Sequence, residues 1–315
     1  MLCLCGIFRF NDRESCEYIM KFKHTMWFFA VSLGACTFIR ILQLLFTLDP
    51  ATGFIKSEYR TVGVAMMAII VIAALTSVVI GMSVRRCPVK MPKVKPLLGI
   101  GSILLGVSVL VEVLMPIGLR ESNVYTVVAL ETMGFFAGLL FIAYGVKAFV
   151  KYELPAPLFM IPVLYWAVKL IHMFMSMATI SLITDNILIC AAYGSSLVFM
   201  LELAKLANKI NVETTSRGLM ASGMCASIFS IVAALPRFVV VLIGHSEVLH
   251  ESVFSALTML VTGIFMILFI AYYFRNKNLS RHHRKRSGKS RRFMPADETS
   301  QYQFYLGRTR VNKNQ

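Results

Sequence analysis

Residues 62–118 decide how this chain folds. They read VGVAMMAIIVIAALTSVVIGMSV (62–84), then RRCPVKMPKVKP (85–96), then LLGIGSILLGVSVLVEVLMPIG (97–118). Two apolar runs of 23 and 22 residues, with Glu112 as their one charge, enclose a link that carries five Lys or Arg. As an α-helix, rising about 1.5 Å per residue, either run is long enough to cross a hydrocarbon core of about 30 Å. Lipid offers no partner to backbone N–H and C=O, so a spanning segment must satisfy them internally as a helix or in a closed barrel. Neither run alternates with period two as barrel strands do, so helices follow. The basic link has to stay in water.

The same pattern repeats in both directions. Apolar stretches fall at about 26–48, 62–84, 97–118, 125–147, 157–180, 186–206, 218–243 and 252–274. The composition agrees, with 57% hydrophobic and 15% charged residues and a mean hydropathy of +0.70; a soluble domain carries about 25% charged residues. The expected fold is all-α, a polytopic integral membrane bundle of eight transmembrane helices.

Lys and Arg set the orientation. Counted from the N-terminus, the nine segments outside the spans hold 4, 2, 5, 1, 2, 0, 3, 0 and 12 of them. Odd-numbered segments sum to 26 and even-numbered ones to 3; the remaining three, Arg40, Lys169 and Arg237, lie inside spans. The rich segments belong in the cytosol by the positive-inside rule. Both termini are therefore expected to be cytosolic, in a plasma-type cell membrane. A miscounted helix would break the alternation, so the count of eight and the orientation support each other.

Three regions follow: a cytosolic N-terminal segment (1–25), the eight-helix domain (26–275) and a disordered basic cytosolic tail (276–315). Met20-Lys21-Phe22-Lys23 before an apolar run has the form of a polytopic start, which suggests initiation at Met20. The tail, with Arg281-His282-His283-Arg284-Lys285-Arg286 and Arg291-Arg292, cannot bury a core. Its expected partners are anionic lipid headgroups. A nucleic-acid arm is disfavoured because no aromatic residue interleaves the basic run to stack on bases. The formal net charge of +16 then marks the cytosolic face rather than a nucleic-acid partner. Of the seven cysteines, Cys3, Cys5, Cys16 and Cys87 are expected in the cytosol and Cys36, Cys190 and Cys225 in spans, so no disulfide is expected. Cys3-Leu4-Cys5 alone does not make a metal site.

An internal duplication is suggested at an offset of 128. Leu140-Phe141-Ile142-Ala143-Tyr144 and Leu268-Phe269-Ile270-Ala271-Tyr272 are identical, and each is followed three residues on by Lys147 or Arg275. Spans three and seven each carry an outer proline, Pro116 and Pro236. Two four-helix halves would make a parallel 4+4 repeat about an axis along the membrane normal. Coincidence within a small apolar alphabet is the competing explanation.

Charges inside the spans carry the functional reading. At mid-bilayer each costs about 3 kcal/mol, so they must face inward, pair, or reach an interface. Helix rise places Arg40 at about 20 Å above the cytosolic surface, Glu112 at about 22 Å, Glu131 at about 21 Å, Lys169 at about 17 Å, His172 at about 21 Å and Arg237 at about 27 Å. Acids and bases from several helices thus share a layer in the outer half. On span five Tyr165, Lys169, His172 and Ser176 fall on one helical face, a stripe suited to a water-filled cavity. Lys169 needs a carboxylate to hold its charge there, with Glu112 or Glu131 the candidates, and His172 can exchange a proton near neutral pH. The candidate ligand- or proton-handling residues are Arg40, Gln43, Glu112, Glu131, Tyr165, Lys169, His172 and Arg237. Glu202 is set aside, since Lys205 can pair with it locally. The competing explanation for the layer is structural ion pairing between helices.

Small residues at Gly134-x-x-x-Gly138 and Ser102-x-x-x-Gly106 suit close helix packing. The outer loop Gly244-His245-Ser246-Glu247-Val248-Leu249-His250-Glu251 matches no zinc signature. No Gly-x-Ser-x-Gly elbow, His-Glu-x-x-His pair or phosphate-cradling loop occurs, so the reading leans away from an enzyme and no cofactor is expected. Three classes stay open: a permease or proton-coupled carrier of a small polar or anionic solute, a small-molecule sensor signalling through a cytosolic partner, and an accessory protein whose ion pairs are purely structural.

Overall fold

The computed structural model describes residues 13–46, 57–83, 95–115, 124–150, 152, 154–177, 183–242 and 253–275. Their regular structure is helical: α1 (Arg13–Phe46), α2 (Arg60–Met82), α3 (Pro96–Leu114), α4 (Val124–Val146), α5 (Met160–Met177), α6 (Ile183–Ala207), α7 (Val212–Leu242) and α8 (Val253–Arg275). All eight contain a stretch long and apolar enough to cross a membrane, which makes this a multi-pass membrane protein. Most boundaries lie close to those expected. α1 reaches back to Arg13, and α7 starts at Val212 rather than near 218, with the Thr215 hydroxyl donating to the Ile210 carbonyl just before the helix and that of Ser216 to the Val212 carbonyl within it. Pro96 opens α3 at its first turn, where its missing N–H costs nothing. The N-terminal segment before Arg13 with Cys3 and Cys5, Cys87, Pro116, the His/Glu loop 244–251 and the basic tail 276–315 lie outside the described residues.

The helices α3 to α8 each pack on the next, and α8 returns to α3, closing a ring of six. α1 and α2 pack on each other and on α7. Enclosed by α1, α2, α6 and α8, α7 is almost wholly buried, while α2 presents Val62, Val64, Ile69, Val71, Ile72, Leu75 and Val79 outward, as a lipid-facing helix does.

The α3–α4 seam is built on absent side chains. A Cβ added to Gly106 would lie 2.6 Å from the Gly138 carbonyl oxygen, and one on Gly145 2.5 Å from that of Gly99. Seven-residue spacing on both helices, Gly99 to Gly106 and Gly138 to Gly145, puts these contacts along one line of an antiparallel pair. Between them the Ser102 hydroxyl donates to the Phe141 carbonyl at 2.6 Å. Both small-residue pairs singled out from the sequence fall in this seam.

Side chains reach across the ring and fill it. Phe141 of α4 meets Phe265 of α8 with ring centroids 5.7 Å apart; Phe269 lies 6.1 Å from Phe265 and 6.0 Å from Phe199 of α6. Tyr273, stacked on Phe269, hydrogen-bonds Ser216 of α7 at 2.5 Å. Phe265, Phe269 and Tyr273 recur every four residues, so one face of α8 supplies the column. It occupies the half of the ring near the end of α4 and the end of α8.

At the turn between α6 and α7 the chain reverses through a helix-capping arrangement. The Ile210 N–H donates to the Lys205 carbonyl at 3.0 Å and the Lys209 N–H to that of Leu206 at 3.1 Å, with Lys209 at φ 59°. This is the left-handed C-cap that glycine adopts at least cost. Asn208 ties the turn to the short 3-10 turn (Ala156–Phe159) that precedes α5 by donating to the Ala156 carbonyl at 3.3 Å.

Candidate functional site

At the opposite end of the ring from the aromatic column, α3 and α5 both flank α4, and Gly134 of α4 lets them converge. A Cβ there would lie 2.5 Å from Val113 of α3 and 2.9 Å from the Tyr165 ring of α5. Across this gap the Lys169 ammonium donates to both carboxylate oxygens of Glu112, at 2.7 and 2.8 Å. The two side chains are 5% and 12% exposed. The Tyr165 hydroxyl, one turn before Lys169, lies 3.4 Å from Glu112 Oε2 and 3.4 Å from Lys169 Nζ.

Three rings surround the same ammonium. Its nitrogen lies 4.9 Å from the Tyr193 centroid, 5.2 Å from that of Trp166 and 5.6 Å from that of Tyr165, all within cation–π range. The rings brace one another, Tyr165 to Trp166 at 5.5 Å and Trp166 to Tyr193 at 5.7 Å. Tyr193 is anchored to Ser255 of α8 by a 3.0 Å hydrogen bond. Trp166 is 1% exposed, and its indole N–H has no hydrogen-bond acceptor among the described residues. Half-buried His172, one turn beyond Lys169, approaches Thr126 of α4 with Nδ1 3.5 Å from Oγ1.

Magnitudes say what this pair is not for. Opposite charges under 3 Å apart attract by about 6 kcal/mol at an effective dielectric near 20. Desolvating them costs several kcal/mol per ion, so the net contribution to stability is small. A pair of apolar residues would hold the helices together as well.

Arg40 and Gln43 stand elsewhere, on the α1–α2–α7 side. Arg40 Nη1 donates to Gln43 Oε1 at 2.5 Å and approaches Met67 Sδ at 3.7 Å, while Gln43 donates to the Gly63 carbonyl at 3.1 Å. Arg237 of α7 is close enough for the two guanidinium groups to repel. Glu131 lies on the exposed face of α4. The expected charged layer is thus two groups, Glu112 with Lys169, Tyr165 and His172, and Arg40 with Gln43 and Arg237, with Glu131 in neither. The physical reason is azimuth: helix rise fixes depth, but not which way a residue faces. The side chain of Ser176 lies outside the described residues. Glu202 pairs with Lys205 at 2.9 Å, the local contact expected of it. Sequence reading missed Trp166 and Tyr193; Trp166 had a signal, since it precedes Lys169 by three residues on the same face, whereas nothing in α6 marks Tyr193.

Fold and site define a multi-spanning membrane protein with a buried, aromatic-walled ion pair. The chain matches no protein-family model, no curated protein and no solved structure.

Proposed function

We propose that this protein is a permease or proton-coupled carrier of a small polar solute in the cell membrane, with Lys169 and Glu112 as its binding and coupling centre. The observation that carries the reading is the caged pair itself. A buried acid and base from two helices, walled by aromatic rings, contribute little stability and are costly to keep in lipid, which makes ionisable residues at such depth functional by default. His172, a turn away, gives protons a route between the pair and water.

Charge asymmetry in the loops supports an arrangement with both termini in the cytosol and the pair in the outer half of the bilayer. The basic tail would then lie against anionic headgroups. The 4+4 repeat draws no support from the helix contacts: α6 packs closely on α7, whereas its counterpart α2 packs on α7 and not on α3 among the described residues. An anionic solute would draw on Arg40 and Arg237 rather than on the pair, whose positive charge Glu112 already answers.

The test is flux into proteoliposomes of the purified full chain under an imposed pH gradient. Solute-dependent proton movement that Lys169→Ala abolishes supports a carrier. One observation favours the sensor reading: the aromatic column fills the ring on the far side of the pair. Solute binding with no flux under any gradient would select it.

A further inference from the structure

We infer that Glu112, Tyr165, Trp166 and Tyr193 form a binding site for a small organic ammonium ion, and that the Lys169 ammonium is a tethered occupant which the ligand displaces. The inference rests on the carrier reading for what the site is used for, and on geometry alone for what it binds.

The elements that recognise an ammonium ion are a carboxylate for its N–H donors and electron-rich ring faces for its remaining surface. Both are present around a single point. Glu112 offers two oxygens at 2.7 and 2.8 Å, Tyr165 a hydroxyl oxygen at 3.4 Å, and three ring centroids stand within 5.6 Å. Building this much recognition around a lysine gains little if its only task is to pair with an acid, which one carboxylate accomplishes. The walls come from separate elements, Glu112 from α3, Tyr165 and Trp166 from α5 and Tyr193 from α6, so the cage depends on tertiary packing, not on one helix's periodicity.

An anion does not fit here, because its charge would face Glu112 and the negative faces of three rings. A neutral sugar would leave the carboxylate without a cation once Lys169 moved. A monovalent ammonium replaces Lys169 at Glu112 charge for charge, and the displaced Lys169 ammonium turns along α5 toward water beside half-buried His172. The tethered occupant competes at an effective concentration in the millimolar range or above, so apparent affinity is reduced by the fraction of time Lys169 fills the cage.

The probe is n-butylammonium, the lysine side chain detached. The chain has two tryptophans, and Trp27 is 73% exposed on α1; Trp27→Phe therefore leaves Trp166 as the sole reporter. In this background the expected result is a saturable change in Trp166 emission with butylammonium and none with sodium butyrate at equal ionic strength. Adding Lys169→Ala should tighten butylammonium at least about tenfold by removing the competitor, and the uncharged double variant Lys169→Ala/Glu112→Gln should not respond. Equal responses to butylammonium and butyrate, or no saturable response in the Trp27→Phe protein and in a folded Lys169→Ala variant, would overturn the inference. If Lys169→Ala does not fold, the comparison of cation and anion in the Trp27→Phe protein decides alone. Ammonium binding without flux in proteoliposomes would keep this inference and remove the carrier. Lys169-dependent flux of a neutral or anionic solute, with no ammonium binding, would do the reverse.

Discussion

A lysine inside a membrane is tolerable only while something answers its charge, and here one carboxylate does so from another helix. Breaking the pair and replacing it are therefore different experiments. Glu112→Leu leaves the Lys169 ammonium buried against three rings with no acid, and should lower stability by about 3–5 kcal/mol. Lys169→Met with Glu112→Leu removes both charges and keeps apolar bulk, and should recover most of that loss. Unfolding of the three proteins in detergent micelles measures both, and a double variant no more stable than Glu112→Leu alone would show that the pair holds the bundle together. Tyr193→Phe keeps the ring but loses the 3.0 Å bond to Ser255; about 1 kcal/mol is expected, with the ammonium still covered. At this scale the sequence showed Lys169 and two candidate acids at matching heights, and the structure chose Glu112. What could not be read was azimuth. Glu112 and Glu131 share a depth, yet Glu131 faces outward from α4, and only the packing of α3 against α4 and α8 determines which acid turns inward.

The eight helices themselves were legible because lipid permits little else: an apolar run of the right length has to satisfy its backbone within itself. The partners of each helix were not legible, since van der Waals packing between apolar surfaces leaves no charge or period to read. Small residues are the exception, and they make the α3–α4 seam testable. Added methyls at Gly106 and Gly145 would meet backbone oxygens at 2.6 and 2.5 Å, which cannot swing aside as a side chain can. Gly106→Ala and Gly145→Ala should each cost about 1–3 kcal/mol. Gly34 of α1 and Gly194 of α6 have nothing within 4 Å of the same position, so Gly34→Ala and Gly194→Ala should gain about 0.5–1 kcal/mol from helix propensity. Thermal unfolding of the four variants side by side would settle it, and a uniform sign across the set would refute the seam. A further check lies in the turn after α6, where Lys209 sits at φ 59°. There Lys209→Gly should stabilise by up to about 1 kcal/mol, readable as a raised unfolding temperature.

For the molecule as a whole, eight spans oblige both ends to emerge on one side, and the proposal that this side is the cytosol rests on the Lys and Arg counts. The central place of α7 left a trace that the sequence reading did not use: Ser216, Ser222, Ser227 and Ser230 interrupt its apolar run and all prove buried, whereas α2, apolar on nearly every face, lies at the edge. The closing of α3 to α8 into a ring left no comparable trace, because closure depends on which helices touch rather than on what any of them contains. Orientation governs the meaning of the site. With the N-terminus inside, Glu112 near the end of α3 and Lys169 past the middle of α5 lie toward the outer surface, and the aromatic column closes the ring below them. With the N-terminus outside, the same pair would open to the cytosol and the column would seal the exterior, reversing the direction of any uptake. A variant with its seven native cysteines replaced decides between them. A membrane-impermeant maleimide added to intact cells should label Ser246→Cys, between α7 and α8, and leave Ser287→Cys in the tail unlabelled until the cells are opened. Labelling of Ser287→Cys from outside would invert the bundle, and with it the side from which an ammonium ion reaches Glu112.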